Sequence, residues 1–322
     1  MLSGMTSVRP RIILDCDPGH DDVVAILVAA AQTELLGITT VAGNAPLDRT
    51  THNACIFRDW LGLATTVHSG ADRPLVAEPK YGAFVHGESG LDGADLPQPA
   101  RGADSTDAVG FIIATARANP GITLVPTGPL TNIALALRAA PDLGEHVAAI
   151  SLMGGGTYGN RTPAAEFNIW ADPEAAAIVF ESGIPLTMAG LDVTHQLLLT
   201  PDRIADVAAL PGHLAAVLAD LFAYFSDNYI SRHEQIAGAA LHDPLAVLAV
   251  THPDLFRRTR RHVTIETQGR HTAGMTVIDH RGMHDHEPEN CDVLEWVDAE
   301  AAWQLVVAAV EGFSNGTASA EG

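Results

Sequence analysis

The first two-thirds of the chain alternates short apolar runs with amphipathic stretches, in which apolar residues recur every three to four positions. The apolar runs predict buried strands and the amphipathic stretches predict helices. We predict strands at 12–14, 35–41, 66–68, 122–126, 147–152 and 186–189, and helices at 23–31, 51–61, 108–118, 133–139 and 174–181. Such alternation indicates an α/β fold with an open, doubly wound, mostly parallel sheet flanked by helices.

The pattern changes after Asp192, and a polar segment rich in Gly and Pro, 69–104, interrupts it earlier. The elements predicted after Asp192 are helices at 214–229, 244–250 and 299–310 and strands at 263–267, 276–279 and 293–297. No internal repeat or linker-like segment divides the sequence, so we expect a single domain over residues 11–311. The remaining residues, 312–322, are small and polar, and we expect them to form a flexible tail.

The composition argues against several classes of function. The 322 residues carry 18 Lys+Arg against 39 Asp+Glu, a formal net charge of −21, which repels nucleic-acid phosphates and anionic lipid. No apolar run reaches the roughly 20 residues that a membrane span needs, and the first residues lack the apolar segment of a secretory signal. Three cysteines without CxxC spacing suit a reducing compartment. We therefore expect a cytoplasmic protein with no nucleic-acid or membrane partner.

Four carboxylates fall close together after the first predicted strand, in the sequence Asp-Cys-Asp-Pro-Gly-His-Asp-Asp at 15–22. Asp15 and Asp17 share one face of an extended strand, and Asp21 and Asp22 begin the next helix, where they can point back at the same place. Like charges at this density repel unless a cation lies among them, and oxygen ligands suit Ca²⁺ or Mg²⁺. An Asp before Pro is also a common helix cap, but one cap explains only one Asp. The segment therefore predicts a metal site.

The segment His242-Asp243-Pro244 is ambiguous when considered alone. Asp243 before Pro has the pattern of a helix cap, and His242 then reads as an ordinary loop histidine.

A second ambiguous group follows the strand predicted at 147–152 and comprises Asn160, Glu166 and Asn168. Turn chemistry accounts for Asn and Glu in such a loop. Glu166 and Asn168 also share a face if the chain is extended, which offers an acceptor and an amide to a polyol. The residues alone leave these two interpretations open.

Three further patterns are interpreted as carrying no function. Gly154, Gly156 and Gly159 match GxGxxG, but no helix is predicted to open at the third glycine, as dinucleotide binding requires. The sequence His-Gly-Glu-Ser-Gly at 86–90 misses the GxSxG motif of serine hydrolases. A late polar group has no spacing that places it on one face, so it predicts a solvated loop rather than a metal site. That group consists of His280, His284, Asp285 and His286.

Taken together, these segments resemble the nucleoside hydrolase family, the calcium-dependent N-ribohydrolases of inosine, uridine and related nucleosides. The acidic segment at 15–22 resembles the family signature DxDxxxDD. Further matches are Thr-Thr-Val-Ala-Gly-Asn (39–44), His-Gly (86–87), Val-Pro-Thr-Gly-Pro-Leu-Thr-Asn (125–132), Leu-Met-Gly-Gly-Gly (152–156), Glu-Phe-Asn (166–168) and His-Asp-Pro (242–244). The resemblance covers residues 11–311, and several motifs in one order are more specific than any single motif.

The resemblance implies a role for each matching residue. Ca²⁺ would be held by Asp17, Asp22, the backbone carbonyl of Thr127 and Asp243. The ribose hydroxyls would be bound by Asp21, Asn44, Asn160, Glu166, Asn168 and Asp243. Asp17 would accept the proton of a calcium-bound water, His242 would donate one to the departing base, and His86 would line the base side. Further candidates for base contacts, in the segment 221–240 where the match weakens, are Phe225, Tyr229 and His233.

The implied activity is hydrolysis of the N-glycosidic bond of ribonucleosides to free ribose and base. The resemblance also implies a homo-oligomer, either a dimer or a tetramer. Two alternatives remain open. One is a Mg²⁺-dependent aspartyl-phosphate phosphohydrolase, because Asp15 and Asp17 match its DxD motif, although Gly19 stands where that motif has Thr or Val. The other is a non-catalytic, calcium-dependent nucleoside-binding protein.

Overall fold

The computed structural model describes residues 9–231, 237–283 and 288–317. A sheet of eight strands lies at the centre of the protein, and two small two-stranded sheets pair β7 with β8 and β10 with β11. The strands are β1 (Arg11–Cys16), β2 (Glu34–Thr40), β3 (Val67–Ser69), β4 (Ile122–Pro126), β5 (Val147–Met153), β6 (Leu186–Ala189), β7 (Leu198–Leu199), β8 (Ala239–Ala240), β9 (Phe256–Arg261), β10 (Val263–Ile265), β11 (Thr276–Ile278) and β12 (Cys291–Val297).

The strand order across the central sheet is β3-β2-β1-β4-β5-β6-β12-β9. All neighbouring pairs are parallel except β9, which runs antiparallel to β12. The chain winds outward from β1 through β2 to β3, then returns to β4 on the other side of β1. Where the winding direction reverses, the loops after the two central strands diverge and leave a crevice at their carboxyl ends. The predicted doubly wound, mostly parallel α/β fold is confirmed.

Helices cover both faces of the sheet. They are α1 (His20–Gln32), α2 (Leu47–Trp60), α3 (Ala83–His86), α4 (Ala108–Ala118), α5 (Thr131–Ala139), α6 (Phe167–Ala171), α7 (Pro173–Phe180), α8 (Leu191–Thr194), α9 (Pro201–Ala208), α10 (His213–Ile230), α11 (Pro244–Thr251) and α12 (Ala299–Thr317), with 3₁₀ helices at Pro141–Glu145 and Pro253–Leu255. Alternate side chains of β1 enter different cores. Ile12 and Leu14 pack with α1, α2, α10, α11 and α12, whereas Ile13 packs with α4, α5 and α7.

One strand of the central sheet was not predicted. Strand β9 has the sequence Phe-Arg-Arg-Thr-Arg-Arg, which lacks an apolar run because it lies at the edge of the sheet and most of its side chains are at least partly exposed. Its Arg258 and Arg260 form ion pairs with Asp292 of β12, at 3.6 Å and 3.3 Å. Tertiary pairing, rather than local apolar pattern, therefore determines this strand.

The final helix is longer than predicted. Helix α12 continues to Thr317, so the expectation of a flexible tail from residue 312 is wrong for 312–317. The side chain of Ser314 is buried there, which shows that this part of the helix packs on the domain. Residues 318–322 lie outside the described residues.

Two predictions from composition can be compared with the structure. Cys16, Cys55 and Cys291 are all buried and free, as expected for a chain without disulfides. Within the described ranges, no helix is both long and apolar enough to cross a membrane.

The polar segment 69–104 has little regular structure. Its C-terminal end is held to helix α2 by hydrogen bonds and ion pairs of Arg58. The Arg58 side chain is fully buried and donates hydrogen bonds to the carbonyls of Arg101 at 2.6 Å and Gly102 at 3.0 Å. It also pairs with Asp59 at 2.7 Å and with Asp104 at 3.3 Å. A buried arginine with this set of partners holds a long connection against the helix layer.

Replacing Arg58 should therefore destabilise the protein strongly. Removing one partner of a buried ion pair leaves uncompensated polar groups and costs about 3–5 kcal/mol. We expect Arg58→Met to lower the free energy of unfolding by that amount, measured by urea denaturation. Arg49→Met is the matched control on the same helix, because its side chain is 58% exposed and exposed pairs contribute only about 0–1 kcal/mol. Equal losses in the two variants would contradict the anchoring role.

Candidate active site

A cavity opens at the carboxyl ends of β1 and β4, the point where the winding direction of the sheet reverses. It is lined by Asp21, Asn44, Gly82, Phe84, Val85, His86, Thr127, Met153, Asn160, Glu166, Phe167, Asn168, Phe225, Tyr229, His242 and Asp243. The residues for which the resemblance implies a role in binding calcium or ribose, in proton transfer or in lining the base side all line it except Asp17 and Asp22. Those two are buried and hydrogen bonded to lining residues, Asn44 and Thr127. The fold thus brings together the segments that the sequence analysis singled out.

The carboxyl groups of Asp21, Asp22 and Asp243 meet at one side of the cavity. One oxygen of each lies within 4.8 Å of the others. Asp21 and Asp22 occupy the first turn of α1, whereas Asp243 directly precedes α11. Among the described residues the Asp243 side chain makes no capping hydrogen bond to α11, so helix capping does not explain this residue.

Asp22 is held by four hydrogen bonds. Its Oδ1 accepts from Thr127 Oγ1 at 2.8 Å and from the backbone N–H of Asp17 at 3.3 Å. Its Oδ2 accepts from the Gly19 N–H and from Asn44 Nδ2, both at 3.0 Å. These partners come from the loops after β1, β2 and β4, so Asp22 joins three strand ends of the sheet.

Asp17 lies beneath the cavity, and the chain packs tightly around it. Its Oδ2 accepts from the Asn44 N–H at 2.7 Å. A Cβ atom added at Gly43 would lie 2.1 Å from this oxygen, and one added at Gly128 would lie 2.5 Å from Oδ1. Within the described part of the chain, Oδ1 of Asp17 and Oδ1 of Asp21 are buried without a hydrogen-bond partner. Unpaired buried oxygens are costly, so these two are available to a ligand.

Burial raises the pKa of each carboxyl group in this cluster, and neighbouring negative charges raise most of them further. The pKa values of Asp17 and Asp243 lie well above the usual range, first from burial and then from nearby aspartates. For the same reasons the pKa of Asp21 rises to about 8, and burial also raises the pKa of Asp22. The cluster therefore resists full ionisation at neutral pH unless positive charge enters it.

The chemistry of the candidate ligands fits a hard divalent cation. The predicted ligands, Asp17, Asp22, Asp243 and the carbonyl of Thr127, offer only oxygen. The Thr127 carbonyl accepts from Asn168 Nδ2 at 2.7 Å, and a carbonyl oxygen retains a second lone pair. No Lys or Arg stands among the described residues that line the cavity, so side chains of the cavity wall do not offset the negative charge.

Asp15 has a different role from the one that its position in the acidic segment suggests. Its Oδ1 accepts from Thr39 Oγ1 at 2.6 Å and from Asn132 Nδ2 at 2.8 Å. Burial raises the pKa of Asp15 to about 7. Asp15 does not line the cavity and instead connects β1 to β2 and α5.

Glu166, Asn168 and Asn160 form a second polar wall. Glu166 caps α6, accepting from the N–H groups of Asn168 at 2.9 Å and Ile169 at 3.1 Å. It also accepts from the Gly155 N–H at 3.0 Å, and burial raises the pKa of Glu166. Asn160 Oδ1 accepts from the Phe167 N–H at 2.9 Å. These residues thus perform turn chemistry, as one of the two interpretations predicted, and they also line the cavity.

Aromatic rings and histidines form a further part of the cavity wall. His86 stacks on His20 and Phe225, with ring centroids 5.3 Å and 5.2 Å apart. Burial, followed by the neighbouring histidines, lowers the pKa of His86 well below its usual value, so this imidazole is neutral at pH 7. Phe225 and Tyr229, predicted as candidates for base contacts, both line the cavity. His233 lies outside the described residues.

His242 is fixed through both of its ring nitrogens. Nδ1 lies 2.8 Å from Thr194 Oγ1, and Nε2 lies 3.4 Å from the hydroxyl of Tyr229. The ring is 7% exposed and lines the cavity beside Asp243. A histidine held in this way is oriented for proton transfer.

Several residues of the site were not found from the sequence. His20, Phe84, Phe167, Thr194 and His195 line the cavity or contact residues that line it. Two of them could have been found from their position in the sequence, because His20 lies inside the acidic segment and Phe167 lies between Glu166 and Asn168. Of the late polar group, His280 does not line the cavity. His284, Asp285 and His286 lie outside the described residues.

Comparison with known proteins agrees with this fold. The family model "Inosine-uridine preferring nucleoside hydrolase" matches residues 12–304. A pyrimidine-specific ribonucleoside hydrolase, RihA, from Shewanella woodyi is 43% identical over 95% of this chain and 99% of its own length. RihA from Salmonella arizonae is 44% identical over 92% and 96%, respectively. Among solved structures, the purine-preferring ribonucleoside hydrolase of Gardnerella vaginalis superposes with a TM-score of 0.89 at 34% identity, covering 94% of this chain and 99% of that chain.

The fold and the site together define a class of protein. It is an α/β enzyme with a buried acidic cavity at the point where the winding direction of the sheet reverses. The chain belongs to the inosine-uridine preferring nucleoside hydrolase family, whose members are enzymes that hydrolyse the N-glycosidic bond of ribonucleosides. Membership decides against the phosphohydrolase alternative and against a purely binding protein.

The repulsion within the acidic cluster predicts how a cation affects stability. A carboxyl group whose pKa is raised by folding stabilises the metal-free fold when it is protonated. This contribution to the free energy of unfolding is complete below about pH 4, the pKa of the unfolded chain, and is lost as the pH rises towards 8, the pKa of Asp21 in the fold. A bound cation compensates the ionised groups. We therefore expect millimolar Ca²⁺ to raise the melting temperature more near pH 8 than near pH 6.

Two variants identify the source of this effect in the same thermal unfolding measurement. Asp243→Asn should abolish the shift, because it removes a charge from the cluster. Asp142→Asn should preserve it, because Asp142 pairs with Arg117 at the surface. A calcium-induced shift that is the same at both pH values, or that survives in Asp243→Asn, would contradict a cation bound among these carboxylates.

Proposed function

We propose that this protein is a Ca²⁺-dependent hydrolase that converts ribonucleosides into free ribose and a nucleobase. One observation carries the proposal: a single cavity is lined both by buried carboxylates and by histidines and aromatic rings. A ribonucleoside has a polyol and a flat base, which match these two kinds of lining group. Membership in the nucleoside hydrolase family supports this assignment.

Asp17, Asp22, the Thr127 carbonyl and Asp243 would hold the Ca²⁺ ion. This assignment rests on the all-oxygen ligand set, the unpaired Oδ1 of Asp17 and the uncompensated charge of the cluster. When bound, Ca²⁺ supplies Lewis-acid activation of water and a template for vicinal hydroxyls.

The remaining polar groups would bind and stabilise the sugar. Asp21, Asn44, Asn160, Glu166 and Asn168 surround the same space with carboxylate and amide groups. Cleavage of a glycosidic bond develops positive charge on the sugar ring, and fixed negative groups that are already desolvated favour that charge. Their hydrogen bonds to the protein hold them in place before the substrate arrives, which limits the reorganisation needed during the reaction.

Asp17 is the proposed general base. Its buried Oδ1 is unpaired, and its raised pKa makes this carboxylate a stronger proton acceptor than an exposed one. Water adds its hydroxide to C1′ while Asp17 takes the proton. Attack from the face opposite the base predicts inversion at C1′, as in inverting glycosidases.

His242 is the proposed general acid. When the C1′–N bond breaks, its electron pair goes to the base, which then needs a proton. His242 lines the cavity together with aromatic residues, and its ring is held by Thr194 and Tyr229. Positioned proton transfer of this kind contributes roughly 10²–10⁴-fold to the rate.

Pyrimidine ribonucleosides are the proposed preferred substrates. Curated relatives named pyrimidine-specific share 43–44% identity with this chain, whereas the structural neighbour named purine-preferring shares 34%. A cytoplasmic location and a homo-oligomeric state, dimer or tetramer, remain predictions from the sequence.

The hydroxyl-binding set predicts discrimination against deoxy substrates. A lost hydrogen bond to a charged group costs about 1.5–3 kcal/mol, so 2′-deoxynucleosides should react at least about tenfold more slowly. A reducing-sugar assay across uridine, cytidine, inosine, adenosine and guanosine, with their 2′-deoxy forms, measures both preferences. Equal turnover of ribo and deoxy substrates, or tight binding without sugar release, would contradict the proposed function.

The acid role of His242 predicts a dependence on the leaving group. His242→Ala should lower kcat for uridine by about a hundredfold or more, because the base leaves poorly without a proton. The 4-nitrophenyl riboside, whose leaving group needs no proton, should lose much less. His146→Ala is the matched control, since His146 pairs with Asp142 away from the cavity. Equal losses of His242→Ala on both substrates would remove His242 from this role.

A further inference from the structure

A row of hydrogen-bonded rings leads from the cavity to the protein surface. The Tyr229 hydroxyl lies 3.4 Å from His242 Nε2 and 3.1 Å from His195 Nε2, so it bridges two imidazoles. On its far side, His195 Nδ1 lies 3.0 Å from the hydroxyl of Tyr158. We call these four side chains, His242, Tyr229, His195 and Tyr158, the ring chain.

The ring chain is buried at its cavity end and exposed at its other end. His242 and Tyr229 are 7% and 4% exposed, His195 is half-buried and Tyr158 is 41% exposed. The chain therefore connects a buried end at the cavity with an end that solvent reaches. Tyr158 lies in the loop after β5, and His195 directly follows α8, so two separate segments of the fold contribute to it.

Every link of the ring chain is chemically able to pass a proton. A tyrosine hydroxyl is both donor and acceptor, and an imidazole can take a proton at one nitrogen while it releases one from the other. Both nitrogens of His195 are engaged in this way, each with a different hydroxyl. Burial raises the pKa of Tyr229, so this residue remains a phenol with a proton to donate at neutral pH.

The hydrolysis creates a need for such a route. In each turnover the base side of the cavity gives one proton to the leaving base, while the carboxylate side gains one from water. The groups on the base side must recover a proton before the next substrate reacts. Because His242 and Tyr229 line the cavity and are otherwise buried, a proton needs a path through the protein whenever substrate or product fills the cavity.

We infer that His195, acting through Tyr229, returns protons from solvent at Tyr158 to the base side of the cavity. In this relay Tyr158 passes a proton to His195 Nδ1, the proton at Nε2 moves to the Tyr229 oxygen, and Tyr229 releases its own towards His242 Nε2. The inference rests on the proposed function and adds two residues, His195 and Tyr158, that act without touching the substrate.

His195→Gln tests the relay because glutamine retains hydrogen-bonding groups for both hydroxyls but is a poor proton carrier. We expect kcat for uridine to fall about tenfold or more, with KM unchanged, whereas kcat for the 4-nitrophenyl riboside should stay within about twofold. Tyr158→Phe, at the exposed end, should cause a smaller loss in the same direction. His146→Gln is the matched control, and melting temperatures monitor the fold of each variant.

A purely structural role for His195 predicts a different result, namely equal losses on both substrates. That result, or an unchanged uridine rate in His195→Gln, would overturn the relay. The wild-type enzyme separates this inference from the proposed function. If it releases sugar from uridine while the variants behave as the control does, only the relay fails; if it releases sugar from no ribonucleoside, the proposed function fails as well.

Discussion

The buried carboxyl groups of Asp21, Asp22 and Asp243 meet near the carboxyl ends of the central strands, and the buried carboxyl group of Asp17 is close enough to Asp22 to feel its charge. Bringing them there is unfavourable, because each loses its hydration and most are repelled by the others. The fold nevertheless holds Asp17 and Asp22 in place, through backbone N–H groups, a threonine hydroxyl and an asparagine amide. Most of the other features of the site follow from this concentration of negative charge.

The cavity combines two kinds of lining group. Among the carboxylates, burial and mutual repulsion raise the pKa values of Asp17 and Asp243, which favours proton acceptance. Among the histidines, burial keeps His86 neutral and leaves His242 hydrogen bonded to hydroxyl groups. A glycosidic bond placed between these two kinds of group would have a proton acceptor near the attacking water and a proton donor near the departing base.

Much of this could be predicted from the sequence, because the relevant signals are local. Buried parallel strands are apolar runs, and the predicted bounds of β4 and α4 coincide with the observed ones. The acidic segment after β1 and the group around Glu166 were recognised from residue type and spacing. The resemblance to a family then connected these segments with Asp243, which lies far away along the chain.

Other features could not be predicted, because they depend on contacts between distant segments. The arginine-rich strand β9 is defined by its pairing with β12, and the extension of α12 by the packing around Ser314. The capping pattern of Asp243 was misleading, since only the folded structure shows its carboxyl group beside Asp21 and Asp22. The link between Tyr229 and His195 joins α10 to the end of α8 and has no signature in either segment.

The most direct measurement of the central claim is a crystal structure of the protein grown with millimolar calcium. The account predicts one ion, bound by Asp17, Asp22, Asp243 and the carbonyl of Thr127 at about 2.3–2.6 Å, the range usual for calcium and oxygen. An ion absent from this space, or carboxyl groups turned away from one another around it, would contradict the account.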